Sequence, residues 1–399
     1  ELGISRVMSS YAMLAPATIY DDGKRQSFCP IQHGSGIAAD GYEVTGLRTG
    51  YEKIVAHRTS NQQTSVAEAD GKVLAVSGEL LTIEYTGEKG VYTKSYKLGR
   101  YFGRHEGGIF PHDMTTKLKV GDSVKKSDVI TFNSKFFEPD IFSPTQVNWK
   151  AGVMARTALI EGADTLEDSS AISPKLSKLL KTQITKEKII TVRFDQAVHG
   201  LVKPGDKVDP ETILCTIEDS LTATSGAFTE KSLDHLQAIS DQTPQAKVVG
   251  VIDQVEIFYN GELDDMSETV RQVAMWGDRL RKKQAMVNPE RIAMTGQVDS
   301  SLRIGGHPVE MDTIVIRVYI TMDVPAIGGD KGVFANQLKS TFRNVMIGKN
   351  ATEDGKDIDA YFGKKSVDER IVLSVFKIGT ANVLCRLESE RCQEILAAE

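Results

Sequence analysis

The most constraining feature of the chain is a turn that occurs twice. LKVGDSVKKSDVITF (118–132) and LVKPGDKVDPETILCTI (201–217) share one design: an apolar-basic run, a Gly-Asp turn, a valine, a second short turn, then an apolar strand. Glycine supplies the turn φ and aspartate bonds its own backbone, so each copy predicts a tight hairpin of a small barrel. Between and around the copies run short alternating stretches, KIVAHRT, KVLAVSGELLTIEYT and YTKSYKLG, over residues 53–97. Period-2 alternation cut by Gly and Asp turns predicts short strands with mostly long-range pairing. The expected fold is mainly β with inserted helices.

The inserted pieces are few. DDGKRQSFCPIQHGSGI (21–37) reads as a turn, a short strand and an irregular polar loop. WKAGVMARTALI (149–160) is apolar and helix-capable, and LEDSS (166–170) follows it. Residues 218–242 read as polar, partly helical and peripheral. VVGVIDQVEIFYNG (248–261) reads as a strand, and DDMSETVRQVAMWGDRLRKKQAMV (264–287) as a helix with acids early and bases late, as the macrodipole prefers. That helix is expected to project. TIVIRVYITMDV (313–324) is a strand, and VLSVF near 372–376 is strand-like before an amphipathic end helix.

At 399 residues, 40% hydrophobic and 26% charged, the chain has an ordinary globular composition and length for two to three domains. A formal charge of −6 argues against a protein coated in nucleic acid, while leaving room for a local basic site. The four cysteines (Cys29, Cys215, Cys385, Cys392) contain no CxxC, so neither a disulfide framework nor structural zinc is expected and a reducing compartment is the default. No run of about 18 apolar residues predicts a membrane span. The start ELGIS, without methionine, and the end EILAAE read as processing or trimming, the latter in the manner of cleavage after glutamate.

Candidate chemistry is concentrated in GGDKGVFANQLKSTF (328–342), where Lys331 and Lys339 follow a strand and a glycine turn. The stretch lacks the GxxxxGK[ST] spacing of a P-loop. The lysines are either exposed solvated charges or a pair facing one cleft to neutralise phosphates, with Asn336 and Gln337 beside them for sugar or backbone atoms. Glu167 and Asp168 are either surface groups or carboxylates near a metal-bound nucleotide. Arg25, Cys29, Gln32 and His33 share one segment. Nothing nearby orients the imidazole, so a Cys-His nucleophile is not expected. Arg370 in SVDERIV reads by itself as an arginine paired to Asp368 or Glu369, and Arg104 is a single.

Five landmarks in order resemble the C-terminal catalytic half of the second-largest (β) subunit of multisubunit DNA-directed RNA polymerases. RQSFCPIQHGSGI (25–37) resembles HYGRxCPIETPEGxxxGL; RTGYEKIVAHRT (48–59) and the strand pairs after it resemble TGxExxVAxDSG and its sequel. GVMARTALIEGADTLEDSS (152–170) resembles NxxVAxMxWxGYNxEDAI, GGDKGVFANQLKS (328–340) resembles GDKMAGRHGNKGVxS, and KSVDERIV (365–372) resembles PSRMxxGQ. The resemblance covers roughly residues 20–375 and is divergent: Asn336 stands where a histidine is usual, QHGSG replaces TPEG, and the residues after Arg370 depart from the family pattern.

The resemblance implies a double-psi β-barrel core with smaller barrel or hybrid β modules. It divides the chain into a fork and active-site-proximal segment (1–60) and hybrid modules carrying the Glu-Asp segment (61–215). A peripheral strand with projecting helices (216–305), the barrel's lysine segment (306–375) and a C-terminal helix (376–399) follow. It implies a nucleotidyltransferase subunit in which Lys331 and Lys339 reach the RNA 3′ end, Arg370 the incoming triphosphate, and Glu167 and Asp168 a second, nucleotide-bound Mg²⁺, indirectly. Arg25, Gln32, His33, Arg104, Asn336 and Gln337 are the further nucleic-acid or NTP contacts. The triple-aspartate loop that holds most of the metal belongs to the largest subunit in the family, and this chain has no such cluster. Expected partners are therefore that subunit, an N-terminal β fragment, template DNA, nascent RNA and NTPs. A split β subunit of a giant tailed phage, in the host cytoplasm or packaged in the virion, fits the termini. The alternatives are a virion scaffold that keeps the fold without chemistry, and an unrelated nucleic-acid-binding module reading backbone through the lysines.

Overall fold

The computed structural model describes residues 8–88, 90–105, 107–219, 243–287 and 295–398. The fold is mainly β, with five described α-helices: α1 (Gly23–Gly34), α2 (Pro174–Leu179), α3 (Glu268–Val287), α4 (Lys364–Glu369) and α5 (Leu373–Ala398). The chain forms two compact units, one of Glu1–Arg100, His112–Thr182 and Val324–Glu399, the other of Tyr101–Pro111 and Gln183–Asp323. These units do not follow the five-part linear division. The unit boundary cuts both 61–215 and 306–375, because strand pairing joins segments far apart in sequence. The strand Thr313–Val324 pairs with Gly250–Asn260, whereas the lysine hairpin that follows it pairs with residues near 170 and 340.

The second unit is built on that long pair. Val251 to Asn260 run antiparallel to Thr321 to Thr313, and Lys207–Val208 and Gly296–Gln297 join the same sheet. A nearly unbroken β-branched run, TIVIRVYIT, signals a strand covered on both faces. Ile314, Ile316, Val318 and Ile320 enter the main core with Ile252, Val255 and Ile257. On the other face Val315 packs with Phe258, and Tyr319 stacks on Phe102 at 4.5 Å. Residues 250–260 are therefore central, not peripheral. Helix α3 does not project: Val270 and Ala274 are buried in the same core, and Tyr259 donates to Asp278 at 2.8 Å. The expectation for residues 218–242 falls, from 220 onward, outside the described residues.

In the first unit, Asp70–Val76, Leu80–Gly87 and Gly90–Lys97 form an antiparallel meander around Val73, Leu81, Ile83 and Tyr85, joined by Ser123–Val124. The repeated turn is real at atomic level, one copy in each unit. Lys119 N–H donates to Asp122 Oδ2 and Lys203 N–H to Asp206 Oδ2, each at 2.8 Å. Gly121 and Gly205 adopt φ of +94° and +97°, a region open to glycine at little cost.

Local readings fail in four places. DGKRQSFCPIQHG is helix α1 rather than strand and loop, because Asp22 caps it by accepting the Arg25 N–H at 2.8 Å. KIVAHRT contains a 3₁₀ turn, Ile54–His57, not a strand. WKAGVMARTALI is not helical. Its ends join the strands Val147–Trp149 and Thr157–Leu159, and Gly152 bridges Glu43. VLSVF opens helix α5 instead of forming a strand.

The remaining sheet positions the candidate site. Its five strands, numbered within the sheet, are β1 (Thr157–Leu159), β2 (Ser169–Ile172), β3 (Lys331–Phe334), β4 (Leu338–Val345) and β5 (Ala360–Phe362), ordered β1-β5-β2-β4-β3. Pairing is mixed: β1 with β5 and β2 with β4 are parallel, while β2 with β5 and β3 with β4 are antiparallel. One face is core, carrying Phe342, Ile172 and Ala360. Ser340 and Ser170 meet on that face at 2.7 Å, which satisfies both buried hydroxyls.

Candidate functional site

The hairpin β3–β4 decides where the two lysines point. Lys331 pairs with Thr341 and Val333 with Lys339. Since side chains alternate along a strand, Lys331, Val333, Lys339, Thr341 and Arg343 share one face. All five are exposed, while Leu338, Ser340 and Phe342 between them are buried. Lys331 and Lys339 are diagonal neighbours across the pair, with Cβ atoms roughly 7 Å apart by sheet geometry. Neither ammonium has a hydrogen-bond or ion-pair partner among the described residues.

Glu167 and Asp168 form the tip of a turn closed by Ser169 N–H donating to Leu166 O at 2.9 Å. Both have left-handed backbones, φ +48° and +65°, costly for residues other than glycine. The turn leads into β2, whose Ser169 is level with Thr341. Thr341 N–H donates to Asp168 O at 3.1 Å, so the carboxylate turn is sewn to the lysine strand by its own backbone.

Arg370 completes the group from the end of α4. Its Nη1 donates to Ser366 O at 3.0 Å and its Nη2 to Asp168 Oδ2 at 2.5 Å. The local reading of Arg370, a pair with Asp368 or Glu369, is corrected: those carboxylates pair with Lys364 and Lys365. Sequence reasoning missed Arg343, although LKSTFR carries the signal, with Lys339, Thr341 and Arg343 at period 2. Arg343 donates to Ala163 O and lies 3.7 Å from Asp164, beside the same turn. Four cations and the carboxylates of Asp164, Glu167 and Asp168 thus belong to one sheet and its flanking turns.

The secondary contact residues divide differently. His33 and Asn336 meet inside the first unit, and Gln337 follows Asn336 at the hairpin tip. Ala335 and Asn336, at φ +47° and +68°, make the β3–β4 tip. The His33 ring bonds to Asn336, and burial pulls its pKa below the ordinary histidine value, with that bond opposing. Gln337 is buried, and its Nε2 donates to Asp21 Oδ2 at 2.7 Å and Ser374 Oγ at 3.1 Å. Ser374 N–H donates to Asp21 Oδ1 at 3.0 Å. As direct ligand contacts, then, His33 and Gln337 are corrected: both point inward and anchor the hairpin tip. Asp21, which holds Gln337 and Ser374, carried no sequence signal beyond its place before a helix cap. Arg25 lies on α1 with its guanidinium over Phe28 at 4.9 Å, and Gln32 lies on the same helix. Cys29 is fully buried, and burial, then the charge of Asp21, pushes its thiol up to about 11, which rules against a nucleophile. Arg104 belongs to the second unit and pairs with Glu187 at 2.9 Å.

No protein-family model and no curated protein matches the chain. Chemically, two unpaired ammonium groups and the Arg343 guanidinium on one face, with the Arg370 guanidinium at the flanking turn, attract phosphate oxygens. Glu167 has no partner among the described residues, and Asp168 shares its carboxylate with Arg370. Such a pair suits one or two oxygen contacts to a Mg²⁺ ion, directly or through water, and falls short of a full octahedral cage. No cluster of three metal-type side chains occurs among the described residues. No described helix is long and apolar enough to cross a membrane.

Proposed function

We propose that the chain is a β-subunit fragment of a multisubunit DNA-directed RNA polymerase and forms one wall of its active-site cleft, on a core of the double-psi type. The reading is carried by one observation: segments near 167, 335 and 370, far apart in sequence, meet on one sheet, with Arg370 bonded to Asp168 and Thr341 bonded to the Asp168 backbone. In this reading Lys331 and Lys339 offset phosphate charge at the RNA 3′ end, and Arg370 takes the triphosphate of the incoming NTP. Bound Mg²⁺ would supply charge neutralisation of the reacting phosphates, held mainly by carboxylates of a largest-subunit partner, with Glu167 and Asp168 on this side. Like charges at neighbouring sheet positions repel, so an unpaired Lys331–Lys339 diagonal without an anionic ligand weakens its own hairpin by a few tenths of a kcal/mol. A polyanion on that face removes the penalty.

The test is reconstitution. The chain is purified with its co-purifying subunits and asked to extend an RNA primer on a DNA scaffold with Mg²⁺. Lys331→Ala and Lys339→Ala should each leave assembly intact and lower extension by roughly 10²-fold, the usual cost of removing one charge-stabilising group. Full extension by both variants would reject the assignment and leave the scaffold reading.

A further inference from the structure

A second candidate site lies in the first unit beside the 3₁₀ turn Ile54–His57, and it does not depend on the polymerase reading. After the 3₁₀ turn Ile54–His57 the chain doubles back: Thr59 N–H donates to Val55 O, and Gln63 N–H and Thr64 N–H both donate to Ser60 O, at 2.9–3.1 Å. The loop is pinned from inside, where the Thr59 and Thr64 hydroxyls meet at 2.6 Å and Thr64 bonds to Ala56 O. Outside the pin is a cavity of about 330 Å³, lined by Ser10, Tyr11, Arg58, Thr59, Ser60, Gln63 and one valine.

The lining has an unusual balance. The Arg58 guanidinium and the Ser10 and Ser60 hydroxyls have no partner among the described residues. No carboxylate lines the cavity. Gln63 is bonded to the Tyr11 phenol, while its Oε1 is buried and without a partner. A cation is disfavoured by Arg58, and an apolar guest would leave the donors without acceptors. An oxyanion satisfies them. We propose that this cavity binds the phosphoryl group of a phosphate ester, with Arg58, Ser10 and Ser60 donating to the phosphoryl oxygens. The volume suits a sugar phosphate, being at the lower end of small-ligand pockets.

The experiment is calorimetry on the full chain, with its subunits where they co-purify, using inorganic phosphate, ribose 5-phosphate and a short oligonucleotide without terminal phosphates at one ionic strength. Saturable binding of ribose 5-phosphate at roughly millimolar Kd or tighter, and more weakly of inorganic phosphate, is expected. Arg58→Gln should weaken it by roughly tenfold or more, since a charge-assisted contact is lost. Ser60→Ala, which removes one exposed hydroxyl, should weaken it by a smaller factor. Displacement by the oligonucleotide would make a backbone phosphodiester the source, and no displacement a free ester. Equal binding by wild type and Arg58→Gln, or no heat beyond a chloride control, overturns the site.

Discussion

Asp21→Ala should loosen the lysine hairpin more than its distance from Lys331 in sequence implies. The Asp21 carboxylate is 8% exposed and accepts from Ser374 N–H at 3.0 Å and Gln337 Nε2 at 2.7 Å. Ser374 lies in the first turn of α5, where backbone N–H groups have no partner within the helix and a negative charge is favoured. Removing the carboxylate orphans that buried N–H. Gln337 loses one of two bonds and keeps Ser374 Oγ at 3.1 Å. One full loss to a charged acceptor and one partial loss come to about 2–4 kcal/mol. Asp21→Asn separates packing from hydrogen bonding. An asparagine accepts from Ser374 N–H, and its amide can donate to Gln337 Oε1, which is buried without a partner in the wild type. Its cost should be about 1 kcal/mol. Urea unfolding gives the totals, and native-state hydrogen exchange of amides 331–345 and 373–377 localises them. If Asp21→Ala costs less than about 0.5 kcal/mol, or Asp21→Asn costs as much as alanine, the network does not hold the hairpin.

Two further outcomes can be read from single groups. Asp140 is buried and held well below the usual carboxylate range by Lys53 Nζ at 2.8 Å, aided by Asn148 Nδ2 and the N–H groups of Ser143 and Phe142. Its folded pKa is depressed, so its contribution is complete above the unfolded value near about 4 and is lost as pH falls through the folded value. Urea midpoints from pH 5 downward should fall more steeply for wild type than for Asp140→Asn, and parallel curves would refute this. Among the cysteines, Cys29 and Cys215 are buried with thiols pushed up to about 11, mainly by burial, whereas Cys385 and Cys392 are exposed. A thiol reagent at pH 8 should modify two groups quickly in the native protein and four after unfolding; fast labelling of a Cys385→Ser, Cys392→Ser variant would contradict the burial.

What was legible in the sequence was whatever the chain states locally and repeatedly. The Gly-Asp turns, the alternation of KVLAVSGELLTIEYT and the unbroken apolar strand at 313–324 each carry a period, and each is where its pattern puts it. The failures share a cause. WKAGVMARTALI is as apolar as a helix, yet its backbone bonds are claimed by partners such as Ala360–Phe362, two hundred residues on. Helix α1 was hidden by Pro30 and the glycines around it, although Asp22 offered a cap. For the site, the lysines, the carboxylate pair and Arg370 were visible as residue types. Their joining by Asp168 was not, because no local rule links residue 168 to 341 and 370. His33 and Gln337 were misread for a related reason: a polar side chain near a lysine motif looks like a ligand contact until its buried partner is known.

The backbone at the site adds a final constraint. Of nine described non-glycine residues with positive φ, five are Glu167, Asp168, Ala335, Asn336 and Ile371, all at the turns that carry or flank the charged groups. Left-handed backbone costs an ordinary residue about 1–2 kcal/mol. The Arg370–Asp168 pair is partly exposed, with side chains 30% and 41% accessible, and a pair in such a setting is worth at most about 1 kcal/mol. It cannot hold two strained residues by itself. The turn is instead imposed by the sheet, through Thr341 N–H on Asp168 O and the parallel pairing of β2 with β4. The backbone positions that carry the carboxylates and the lysines are therefore set by folding, while the exposed lysine side chains are still to be ordered by whatever binds them. Arg370 is the adjustable member: its one bond to Asp168 is partly exposed, so in the proposed reading the guanidinium could be released to a phosphate and the carboxylate to a metal at little cost.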